Sequence, residues 1–140
     1  MAQSRTYKLR LSKEGIDLFL QCHCRLAHLL QNFIPYGVTL MVAVAILEGQ
    51  DACDVVAELE EQRLHHCIGD NIRFVGSSTA LIDATKRVSD KLLNRHECPS
   101  APQMGHLYII ALLSLASAED RQLVEAFERV APPRRRSRQG

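Results

Sequence analysis

The sequence predicts a mainly α-helical fold with short β-strands, arranged as two tandem β-α-α pseudo-repeats in one compact domain. Three observations predict it. Each half opens on a short alternating segment. Each then carries an amphipathic stretch at helical spacing. Each follows a proline-containing break with a densely apolar run. Tyr7–Ser12 answers to Ile72–Ser77, and Ile16-Asp17 to Ile82-Asp83. Pro35, Val42, Ala43 and Leu47 answer to Pro102, Ile110, Ala111 and Leu115. Val55, Val56 and Leu59 answer to Leu123, Val124 and Phe127. A repeated unit of this kind builds a dimer-like core within one chain. The expected domain covers residues 1–131, with repeats at 6–66 and 71–131 and a basic, disordered tail at 132–140.

The elements follow in order. Thr6-Tyr7-Lys8-Leu9-Arg10-Leu11-Ser12 alternates, which is the period of a half-buried strand, and Ser12 is placed to cap the next helix. Ile16, Phe19, Leu20, Leu26, Leu30 and Phe33 make a helical stripe through residues 13–32. Pro35 and Gly37 break it. Val38–Leu47 is apolar nearly all round, so that helix belongs at the centre. After Gly49, Ala52, Val55, Val56 and Leu59 continue a narrower stripe toward His66. Asn71–Gly76 is the second strand, and Ser77 or Ser78 caps a helix over 79–95 striped by Leu81, Ala84, Val88 and Leu92. Cys98–Pro102 is the second break and Leu107–Ala116 the second central helix. Leu123, Val124, Phe127 and Val130 stripe the last one, which Pro132-Pro133 ends.

Composition bounds the function. A chain of 140 residues, 46% hydrophobic and 24% charged, is long enough to bury a core. Lys plus Arg (17) nearly balances Asp plus Glu (16), but the charges are segregated. Arg5, Lys8, Arg10 and Lys13 make the start basic, Arg134, Arg135, Arg136 and Arg138 the tail. Glu48, Asp51, Asp54, Glu58, Glu60 and Glu61 make the middle acidic. That asymmetry suits polyanion binding and self-association alike. No secretory signal is visible, and Val38–Leu47 is too short for a bilayer, which needs roughly 20 residues. Five cysteines, an odd number, fit reduced thiols. A cytoplasmic protein without membrane contact is expected.

Chemistry-bearing motifs are sparse. Cys22-His23-Cys24 with His28, His65-His66-Cys67, and His96 with Cys98 cluster along the chain. None has the paired short spacing of a zinc site, so no metal or cofactor is expected. There is no nucleophile elbow, phosphate-binding glycine loop or His-Glu-x-x-His, and no enzyme is expected.

Two resemblances bear on function. Ala80–Ala84 through Val88-Ser89-Asp90-Lys91-Leu92, followed by His106–Ala116, resembles ZapA, a family of bacterial cell-division factors that bind and cross-link FtsZ polymers. This resemblance implies a non-catalytic assembly or adaptor protein that self-associates and docks a protein partner of FtsZ-like polymer type. The acidic residues Glu58, Glu60 and Glu61, with Phe127 on the last helix, would form its surface. The second resemblance lies in the strands. Paired antiparallel, they would present Lys8, Arg10, Asn71 and Arg73 on one face. With Gly37-Val38-Thr39 opening a second helix, this is similar to the ribbon-helix-helix DNA-binding proteins. It implies a ribbon in the major groove, with Lys8, Arg10 and Arg73 on DNA. Arg134, Arg135, Arg136 and Arg138 would add phosphate contacts without sequence information.

Overall fold

A computed structural model describes residues 5–94 and 102–130, apart from the side chains of Arg5, Thr6 and Ser77. The order is β1 (Arg5–Leu11), α1 (Lys13–Leu30), α2 (Tyr36–Glu48), α3 (Ala52–Leu59), α4 (Gln62–Cys67), β2 (Asn71–Ser77), α5 (Thr79–Asn94), α6 (Met104–Ser117) and α7 (Asp120–Val130). The fold is mainly α with a two-stranded antiparallel sheet. Cys98 and Pro99 of the second break, and the tail from Pro132, lie outside the described residues.

Serine caps set the phase of both units. Ser12 Oγ accepts from the Gly15 N–H at 3.1 Å, and Ser78 Oγ accepts from the Leu81 N–H at 3.1 Å. Each satisfies an otherwise orphaned donor in the first turn. Counted from these caps, the buried positions coincide. α1 buries Gly15, Phe19, Cys22 and Leu26, and α5 buries the matching Leu81, Thr85, Val88 and Leu92, together with Ala84. α1 ends at Gln31, whose left-handed φ of 53° turns its N–H back onto the Ala27 and His28 carbonyls.

α2 and α6 are apolar around most of their circumference, and they pack on each other at the centre. The exchange between units is reciprocal: α2 also packs on α5, while α6 packs on α1. Arg25 of α1 donates to the carbonyls of Leu115, Ala116 and Ala118 at the end of α6. Lys91, at the matching place in α5, donates to the carbonyls of Glu48 and Gln50 at the end of α2. Each long helix of one unit thus closes the central helix of the other. Cations suit this position, where unpaired carbonyls carry the negative end of the helix dipole.

Several details depart from the sequence reading. The stripe expected to run from Ala52 to His66 is two helices, broken where Glu60 closes α3 and Glu61 opens α4. Leu20 and Phe33 are not core residues, being 45% and 102% exposed. The caps show that Ser12 matches Ser78, not Ser77, so the strands align one residue away from the pairing expected.

Candidate nucleic-acid interface

The ribbon is built by β1 and β2 side by side, with Tyr7 opposite Val75, Lys8 opposite Phe74, Leu9 opposite Arg73, Arg10 opposite Ile72 and Leu11 opposite Asn71. Residues directly opposite in an antiparallel pair share a face, and the face alternates along each strand. Leu9, Leu11 and Val75 are buried, so their face covers the core. The outer face therefore carries Lys8 and Arg10 from β1, and Ile72, Phe74 and Gly76 from β2. All of them are exposed, and among the described side chains of this face none is acidic.

This corrects the expected reading face. Lys8 and Arg10 are where the alternation put them. Asn71 and Arg73 are not beside them, because they pair with Leu11 and Leu9 on the opposite face. Arg73 stays exposed by leaning along its own strand, where it donates to the Ile72 carbonyl. The cause is the one-residue alignment error, since a slip of one residue turns every side chain of a strand over. The residues missed in consequence are Ile72, Phe74 and Gly76. The sequence offers Ser77 and Ser78 alike as the cap, and only the structure's choice of Ser78, counted back as from Ser12, puts them outward.

The first turns of α2 and α6 flank the ribbon. A Cβ on Gly37 would lie 3.0 Å from the Gly76 carbonyl oxygen, and one on Gly105 would lie 3.1 Å from the Tyr7 hydroxyl. Both central helices thus start with a glycine pressed against the strand contributed by the other unit, Gly37 against β2 and Gly105 against Tyr7 of β1. Tyr7 is anchored from below by the Tyr108 ring, edge to face at 5.1 Å. Burial raises the Tyr7 hydroxyl above its ordinary value, so it stays protonated.

Beside β2 lies an apolar cleft of about 200 Å³, lined by Leu11, Ile16, Phe19, Leu20, Tyr36, Arg73, Phe74 and Val75. Behind it, His23 Nδ1 and Thr39 Oγ1 share a hydrogen bond at 2.7 Å, and the His23 ring packs on Tyr36. Burial lowers the His23 pKa below 6.5, which favours the neutral ring.

The other candidates are dispersed. Glu60 and Glu61 are exposed at the α3–α4 break, with Glu58 half-buried beside them. Phe127 lays its ring against the core. Among the described residues, the large apolar side chains left exposed are Leu20, Phe33, Tyr36, Ile72 and Phe74, and none belongs to α7. Cys22 is buried, donates to the Leu112 carbonyl, and is pushed up to about 11 by that burial. Cys67 is also buried and raised, whereas Cys24 and Cys53 are exposed. Among the described residues no three His, Cys, Asp or Glu side chains converge as metal ligands. No described helix is long and apolar enough to cross a membrane. Arg134, Arg135, Arg136 and Arg138, with His96 and Cys98, lie outside the described residues. Comparison with protein families, with curated proteins and with solved structures finds no match.

Proposed function

We propose that this protein binds duplex DNA through the outer face of the β1–β2 ribbon. The observation that carries the reading is an exposed antiparallel ribbon bearing Lys8 and Arg10, with no acidic side chain among the described paired positions of its face, exposed Asp70 lying just before β2, and the first turns of two long helices at its sides. A two-stranded ribbon fits the major groove. There, Arg10 and Lys8 can donate to guanine O6 and N7, and Phe74 can meet a thymine methyl group. Backbone N–H groups opening α2 and α6 are suited to phosphate oxygens. The acidic residues Asp51 and Asp54 begin α3, after α2 has run roughly 20 Å away from the ribbon, and so do not oppose DNA at this face.

Fluorescence anisotropy with labelled duplex DNA across a salt series tests this. The intact chain is compared with a chain ending at Ala131 and with Lys8→Ala/Arg10→Ala. Removing the tail is expected to weaken all sequences alike and to flatten the salt dependence. The double substitution is expected to cost roughly tenfold or more beyond that. No binding at low salt, or binding carried entirely by residues 132–140, would sink the proposal.

A second reading is the assembly or adaptor protein, cytoplasmic and acting on a protein partner. Leu20, Tyr36 and Phe74 meeting in one apolar cleft favours it, since clustered exposed apolar groups mark contact surfaces. Sedimentation over a concentration series reads self-association. A constant monomer mass, unchanged in Phe74→Ser, would count against it.

A further inference from the structure

We infer that the duplex recognised by this ribbon is not palindromic, and that its base sequence is specified mainly on one half. The inference rests on the DNA-binding reading. A dimeric reader repeats the same side chains across its twofold axis, so its site is a palindrome. Here both strands belong to one chain, and their outer faces differ.

The pseudo-twofold axis passes between Lys8 and Phe74, the central pair of the register. The serine caps define which residues correspond across it. Lys8 of β1 corresponds to Phe74 of β2, and Arg10 corresponds to Gly76. An ammonium therefore faces an aromatic ring across the axis, and a guanidinium faces a position with no side chain. One end of the ribbon presents Arg10 beside Ile72, while the other pairs Thr6 with Gly76. Arg10 can make a bidentate contact to guanine, and Gly76 can make none. The aromatic edge of Phe74 has no donor for guanine and suits a thymine methyl instead.

Gly76 is a site where symmetry can be restored. Its φ is not positive, so no backbone strain opposes a side chain. A Cβ there would meet its nearest neighbours, Gly37 Cα and N, at an ordinary 3.9 Å.

The test is selection of bound duplexes from a random library by the full chain, run beside Arg10→Ala and Gly76→Arg. The wild type is expected to enrich a motif without twofold symmetry, containing a guanine whose preference falls roughly tenfold in Arg10→Ala. Gly76→Arg is expected to add a second, inverted guanine preference and to tighten binding to the resulting palindrome by roughly tenfold. A palindromic wild-type motif, or enrichment without any motif, overturns this inference and leaves DNA binding standing. No duplex retained above background, with no anisotropy change, overturns both.

Discussion

At the residue scale, His23 and Gly15 show how local chemistry holds the long helix in place. His23 is held neutral in the folded state because burial lowers its pKa below 6.5. The sign follows. Above pH 6.5 the ring is neutral folded and unfolded, and the His23–Thr39 contact contributes fully. Below it the unfolded chain takes up a proton that the folded one resists, so stability falls with pH until the lowered folded pKa is passed. Thermal melts at pH 7.5 and 5.5 should show a smaller acid loss in His23→Gln than in the wild type. An equal loss would assign the effect elsewhere, with His106, also lowered by burial, the next residue to test. Gly15 is a matter of space. A Cβ there would stand 2.2 Å from the Cys67 carbonyl oxygen, where α4 ends against the first turn of α1. Gly15→Ala should cost about 1–3 kcal/mol, read as a lower urea midpoint. An unchanged midpoint would mean that α4 moves aside freely.

At the scale of the elements, the reciprocal closure of α2 and α6 is the device that ties the two units together. Arg25 and Lys91 donate to carbonyls at the ends of α6 and α2. Charge-assisted bonds are worth more than neutral ones, but both side chains are partly exposed, which screens them. Arg25→Ala and Lys91→Ala should each lower stability by about 1 kcal/mol. The two sites lie at opposite helices without shared partners, so the double variant should lose the sum. Denaturant titration of the singles and the double checks this, and strong coupling would show that the two closures communicate. The helices were legible because their causes are local: Ser12 and one of Ser77 or Ser78 as caps, Leu81-Ala84-Val88-Leu92 as one stripe. The break at Glu60-Glu61 was not, because the apolar spacing continues past it. The outward side of β2 was not either, since Ile72, Phe74 and Val75 are all good strand residues, and only pairing with β1 chooses which is buried.

At the scale of the whole molecule, the two units are not separable domains. β1 pairs with β2, α2 packs on α5, α6 and α7, and α1 packs on α6. Cleaving the chain between Gly69 and Asp70 should leave neither half with a cooperative monomeric transition, because each loses the surface that covers its central helix. Mixing the halves should restore helical circular dichroism and one melting transition. Independent cooperative folding of either half would contradict the intertwined core. The same interdependence explains the division between what the sequence by itself determined and what it did not. Helix and strand type, the two central apolar helices and the repeated plan were set by periodicity and capping, which act over a few neighbouring residues. Tertiary structure alone decided the strand register, the exposure of Phe74 and Tyr36, and the carbonyls that Arg25 and Lys91 close. Those outcomes depend on partners far away in the chain, and a shift of one residue in their pairing exchanges the inside of the ribbon for the outside.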